Sequence, residues 1–148
     1  MIALYILLAG FNGMAMMLMG AYGAHGLAEA EPALRALFQS AWQIHSVHSL
    51  FLAMVGLYGR HNHWLHGAFW LGLAGMALFC LPIYGQALGW WPAGSVLTPV
   101  GGFLLIVAWF SLVLAAISRI RTRAYRGGDP ETIRRRYEAM APLRNRER

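Results

Sequence analysis

The chain has 148 residues, 58% of them hydrophobic and 12% charged, with a net charge of +6 and a mean hydropathy of +0.47. That leaves room for one compact helical bundle and a short tail, and excludes a separate soluble catalytic domain. The positive charge lies in a tail joined directly to an apolar helix, so anionic lipid headgroups rather than nucleic acid are its expected partners.

A hydrocarbon core about 30 Å thick needs roughly 20 apolar helical residues, and four runs meet that length, near Ile2–Ala24, Phe38–Gly59, Trp64–Leu88 and Leu97–Ile117. The first has no basic segment before it and exceeds the roughly 7 to 15 apolar residues of a signal peptide, so it reads as a retained helix. Gly13, Gly20 and Ala24 share one side of this helix, with Gly23 beside them. Small residues of this kind let membrane helices approach closely. Met14, Met16, Met17 and Met19 circle the helix and read as packing side chains rather than copper ligands. Asn12 lies at mid-depth, and His25 at the outer end.

The following connection carries Glu29, Glu31 and Arg35. Pro32 suits the first turn of the second helix, which starts before the membrane and brings Arg35 near the outer headgroups. His45 and His48 follow near its middle. Spaced three apart they project from one side, and ionisable groups at that depth are functional candidates. Asn12 and His48 sit at matching depth, about 14 to 15 Å from the cytoplasmic edge, so a hydrogen bond between them is expected. Trp109 and Ser111 on the fourth run reach a similar height, and Gln43, Ser46 and Ser49 extend the polar side. Asn12, His45, His48 and Ser111 therefore form a candidate polar cluster. It reads first as a neutral structural network, with proton handling or contact with a small ligand, quinone or metal as the alternative.

Arg60, His61, His63 and His66 mark the next connection as cytoplasmic by the positive-inside rule. In the third run Gly72 and Gly75 offer further close contact, Cys80 reads as a small buried residue, and Pro82 is expected to bend or end the helix. A single cysteine also excludes an intramolecular disulfide and a multi-thiolate metal site. Trp90 and Trp91 belong in the outer interface. Thr98-Pro99 reads as the N-cap and first turn of the fourth helix, which has Gly101 and Gly102 at its outer start as packing positions.

All 12 basic residues are arginines, and ten of them, everything but Arg35 and Arg60, follow the fourth run. Arg119, Arg121 and Arg123 meet cytoplasmic headgroups. Gly127-Gly128 is expected to break the helix, and Asp129-Pro130-Glu131 to start a short basic amphipathic helix reaching about Ala141, with Arg134, Arg135 and Arg136 around it. A partly disordered, solvated tail is the alternative. The expected fold is all-α, a four-helix transmembrane bundle over residues 1–118 with both termini cytoplasmic, followed by a basic cytoplasmic tail over 119–148.

No intramembrane carboxylate exists, which removes an ion-coupled relay, paired-carboxylate hydrolysis and a Ser-His-Asp triad from the bilayer. His25 between glycines has no nucleophile or orienting acid beside it. The expectation is therefore a non-enzymatic membrane protein without cofactor or metal, an accessory or assembly subunit that packs against other membrane subunits or itself.

Three segments together resemble one family: Gly20-Ala21-Tyr22-Gly23-Ala24-His25-Gly26, Trp42-Gln43-Ile44-His45-Ser46-Val47-His48-Ser49-Leu50 and Thr98-Pro99-Val100-Gly101-Gly102. Their order and spacing are similar to those of the domain-of-unknown-function 423 group, the YgdD-like and YwdK-like small inner-membrane proteins, over roughly Ile2 to Ile117. The resemblance implies a four-helix inner (plasma) membrane protein and no particular reaction. One departure stands out. Where the family pattern has a Phe-Ser-Gly-Ser-Leu-Tyr type segment, this chain has Phe79-Cys80-Leu81-Pro82-Ile83-Tyr84, and loss of the small positions predicts looser packing there.

Overall fold

The computed structural model describes residues 2–58, 62–128, 130, 131, 133–135 and 138, the side chains of 123–128 excepted. Its four long helices are α1, Ile2–His25, α2, Pro32–Tyr58, α3, His63–Ala87, and α4, Leu97–Gly128. There is no strand among the described residues. Two compact units divide the chain, Met1–Leu112 and Val113–Arg148.

Within the first unit, α2 is the central element. Against α1 it packs Gly56 near Tyr5, Ser49 near Asn12, Trp42 near Gly20 and Phe38 near Gly23. Numbers that fall along one helix as they rise along the other mean two antiparallel helices in contact over nearly their whole length. Toward α3, the Phe38 and Tyr84 rings lie 5.0 Å apart, and Phe51 and Leu52 cover Gly72. Toward α4, the Phe51 and Trp109 rings lie 4.8 Å apart.

Among the described residues, α1, α3 and the Leu97–Thr122 part of α4 are long and apolar enough to cross a membrane. The sequence pattern puts α2 in the same class. With 27 residues it is long enough, but it is less apolar because it carries the imidazoles and amides of the bundle. Three of its polar side chains, His45, His48 and Ser49, turn inward and are buried. Average hydropathy cannot register that direction.

Helix ends follow local chemistry. Asn62 caps α3, its side chain accepting from the Trp64 N–H at 2.9 Å. Past the end of α3, Gly89 adopts φ +75°, a conformation suited to glycine after a helix, and the Trp90 N–H turns back to the Gly85 carbonyl at 2.7 Å. The side chain of Trp91 then packs on Gly85 while Trp90 stays exposed. Pro82 does not end α3, which continues to Ala87. The segment around it is closely packed, with Cys80, Pro82, Ile83 and Tyr84 buried, because larger side chains fill the volume that small ones would leave. Helix α4 begins earlier than Thr98-Pro99 suggests, since Ser95 accepts from the Leu97 N–H at 3.2 Å and supplies the cap.

Glycine contacts correct the packing expectation in part. An added Cβ would lie 2.7 Å from the Trp42 ring at Gly20 and 2.6 Å from the Phe38 ring at Gly23. At Gly101 it would strike the backbone of α3 at Phe79 and Gly75, so α3 and α4 meet there main chain to main chain. Gly13 faces open space and Gly102 makes only ordinary contact with the Phe79 ring. The buried row on α1 runs through Tyr5, Ala9 and Asn12, and Gly13 is one position off it.

In the second unit α4 is helical to Gly128, where its described span ends, and Asp129, the expected start of a new helix, lies outside the described residues. Glycine costs a helix only about 1 kcal/mol relative to alanine. Asp129 and all residues after Glu138 lie outside the described residues, as do Arg136 and the side chain of Arg123. Arg134 pairs with Glu138 and Arg135 with Glu131, each at 3.2 Å, one helical turn apart and well exposed, so these pairs contribute little to stability. Arg119 and Arg121 are exposed.

The contrast between Gly101 and Gly13 generates a prediction. Gly101→Ala will destabilise the purified protein by about 1 to 3 kcal/mol through overpacking, while Gly13→Ala will leave the midpoint unchanged or slightly raised. Thermal unfolding in mild detergent measures both, and equal midpoints for the two variants would count against the backbone contact.

Candidate functional site

The helical period sets the polar side chains of α2 on two lines. His45 and Ser49, four residues apart, lie one above the other toward α1, and His48 flanks them toward α4. Asn12, His45, His48 and Ser49 retain 9%, 5%, 5% and 5% of their exposure, so whatever hydrogen bonds they need come from protein.

The bonds can be given directions by elimination. Ser49 Oγ donates to the His45 carbonyl at 2.8 Å, which uses its one proton. It therefore accepts from Asn12 Nδ2 at 2.7 Å, and the other end of the Asn12 amide, Oδ1, faces His45 Nε2 at 3.2 Å. An amide oxygen only accepts, so Nε2 bears the proton. His45 Nδ1 is then the acceptor, and the Tyr84 hydroxyl donates to it at 3.0 Å. One directed chain, Tyr84 to His45 to Asn12 to Ser49, joins α3, α2 and α1.

His48 forms a second node with the opposite tautomer. Its Nδ1 lies 2.8 Å from the Ile44 carbonyl, which only accepts, so Nδ1 is the donor. Its Nε2 accepts the Trp109 indole N–H at 3.1 Å, tying α2 to α4. Among the described residues no buried side-chain nitrogen or oxygen lacks a partner.

The expected Asn12–His48 bond is replaced by Asn12 with His45 and Ser49. Depth matching was sound, but it carries no information on rotation, and the α2 register turns His48 toward α4. Ser111 is buried but stands apart from the cluster, its hydroxyl satisfied by the Val107 carbonyl of its own helix at 2.9 Å. His25 is exposed at the end of α1. His66 bonds the Tyr5 hydroxyl, His63 is exposed, and His61 lies outside the described residues. Among the described residues no group of three metal-ligating side chains converges. Arg35 donates to the Ala28 carbonyl at 3.3 Å and so ties down the α1–α2 connection. Tyr84 is the participant that sequence reasoning missed. The available signal was a phenol in an apolar run, whose hydroxyl requires a partner when buried.

The family described as "Protein of unknown function (DUF423)" matches residues 19–102. The chain belongs to that family. A UPF0382 membrane protein of Staphylococcus epidermidis is 33% identical over 118 residues, spanning 76% of this chain and 94% of the relative. One from Staphylococcus saprophyticus is 33% identical over 115 residues, 74% and 93% of the two chains. The UPF0382 membrane protein YwdK of Bacillus subtilis is 29% identical over 117 residues, 76% and 95% of the two chains. No solved structure matches. Like these relatives, this DUF423 chain is a membrane protein. The match contains His45, His48, Ser49 and Tyr84, whereas Asn12 and Trp109 fall outside it.

Two consequences are measurable. Nitrogen-15 spectra of the histidine-labelled protein will show His45 as the Nε2–H tautomer and His48 as the Nδ1–H tautomer, and a shared tautomer would contradict the assigned bond directions. Asn12→Leu removes a donor and an acceptor from His45 and Ser49 and will cost about 1 to 3 kcal/mol in detergent unfolding, far more than Ser111→Ala.

Proposed function

We propose that this DUF423 chain is a four-span protein of the inner (plasma) membrane, both termini cytoplasmic, that works without catalysis as an accessory or assembly subunit associating through its helices. The observation that carries this reading is the saturation of its buried polar groups. Both ring nitrogens of His45 and of His48 are engaged, so neither imidazole has a free position for a ligand, and the chain's chemistry is spent on holding helices together.

Topology is supported by two features. Helix α2 lies beside α1 along nearly its whole length, and a helix packed in that way against a span crosses with it, its polar groups shielded by protein as hydrocarbon requires. In this reading the positive-inside rule assigns the connections that carry the arginines at 60, 119, 121 and 123 to the cytoplasm and the Glu29–Glu31 connection to the other side. Arg119 and Arg121, exposed on α4, then meet anionic headgroups, as do Arg123, Arg134, Arg135 and Arg136 in this reading.

Native mass spectrometry after gentle extraction with lipids tests it. The expected spectrum contains this chain bound to other membrane subunits or to itself. A monomer alone would sink the association reading. A bound quinone, small molecule or metal lost on replacing His45 and His48 would favour a ligand-binding module instead. A C-terminal reporter fusion is expected to be active only as a cytoplasmic fusion.

A further inference from the structure

We infer that the outward face of α2 pairs with α2 of a second copy of this chain, with Gln43 facing Gln43 at the centre of the contact. This rests on the four-span association reading above and names the partner within it.

The face is a single line. Ser40, Gln43, Val47, Leu50, Met54 and Leu57 are exposed, and their spacing of three and four residues is the 3.5-residue period of a two-helix seam. Outward lines exist on α1 and α4 also, since Leu4, Leu7, Phe11, Met14 and Leu18 are exposed on α1 and Phe103, Ile106 and Phe110 on α4. Those are apolar, and lipid tails satisfy them. The α2 line differs because Gln43 is an exposed amide with no hydrogen bond to any described residue. The hydroxyl of Ser40 is satisfied within its own helix by the Ala36 carbonyl at 3.0 Å.

Depth makes the amide informative. Gln43 lies eight residues past Arg35 and fifteen before Tyr58, about 12 Å and 22 Å along the helix, which places it inside the hydrocarbon of a spanning α2. Lipid chains offer it neither donor nor acceptor, and such a group drives association of membrane helices.

A second copy fits for three reasons. Two copies in one membrane share one topology, so their α2 helices run parallel, and a two-fold axis along the membrane normal sets each residue of the seam opposite itself. A glutamine amide is both donor and acceptor, so two facing copies satisfy each other reciprocally. The helix carries no charged residue between Arg35 and Tyr58, so nothing on this seam repels its own copy.

The test uses the full chain in native membranes, with Cys80→Ala as background. Single cysteines at Val47 and at Leu50 are expected to form disulfide-linked dimers on mild oxidation, and one at Phe103 on the α4 face is not. Gln43→Leu, on an exposed position with no hydrogen bond to any described residue, is expected to weaken dimer association about 3- to 30-fold, the loss of an interhelical hydrogen bond, and Gln43→Asn is expected to restore most of it. Absence of dimers at both Val47 and Leu50, or equal linkage at Phe103, overturns the inference. If native mass spectrometry of the same membranes then shows a complex with other subunits, the association reading stands and only the α2 pairing falls; a monomer alone removes both.

Discussion

The buried polar side chains of α2 have to find their hydrogen bonds inside the protein, because they are shut off from their surroundings. That requirement organises the bundle. His45 cannot satisfy Nδ1 and Nε2 from its own helix, so it draws Tyr84 from α3 and Asn12 from α1. His48 bonds the Ile44 carbonyl on one side and therefore needs a donor on the other, which Trp109 provides from α4. Two imidazoles of opposite tautomer thus connect all four helices through α2. Each interhelical bond is modest, on the order of 0.6 to 2 kcal/mol, but every one fixes a rotation as well as a distance.

Close backbone contact supplies what polar bonds do not. Without a hydrophobic driving force between helices in lipid, stability depends on how many atoms approach to van der Waals distance. Gly101 against Phe79 and Gly75 does this by omission of side chains, whereas Gly20 and Gly23 do it by receiving the Trp42 and Phe38 rings. The Trp42 ring also donates its N–H to the Met16 carbonyl at 3.1 Å, so the same side chain fills a gap and fixes a register. Tyr5 and Tyr22 repeat this economy at the two ends of α1, reaching His66 and the Ala87 carbonyl of α3.

The same accounting separates the inside of the bundle from its outside. Among the described residues the buried groups that in another setting would be nucleophiles, bases or ligands are occupied. Cys80 is buried, its thiol directed at the Ala41 carbonyl at 3.4 Å. What the outer faces present is apolar surface and, on α2, two exposed amides, Gln39 and Gln43, with no hydrogen bond to any described residue. The proposed assembly role rests on this distribution, in which the buried polar groups are bonded within the protein and the exposed amides lie on the surface of α2.

The four long apolar runs that become α1 to α4, the start of α2 and the segregation of arginine were legible in the residues alone, since length and charge placement are recorded directly in the sequence, whereas Pro82 and Thr98-Pro99 did not locate the helix ends they suggested. Pro32 did start α2, and Gly101 did mark a close approach. The family resemblance rested on short ordered segments and was equally visible. Partner choice was not. Asn12 and His48 share a depth, but which of them meets His45, and whether Ser111 turns to a neighbour or to its own helix, depends on helix rotation. A rotation of about 100° separates adjacent residues, and no count of residues along the chain fixes it. Tertiary packing decided those pairings because an interhelical hydrogen bond requires direction to within a few tens of degrees, and only the contact of all four helices sets each helix's angle about its own axis.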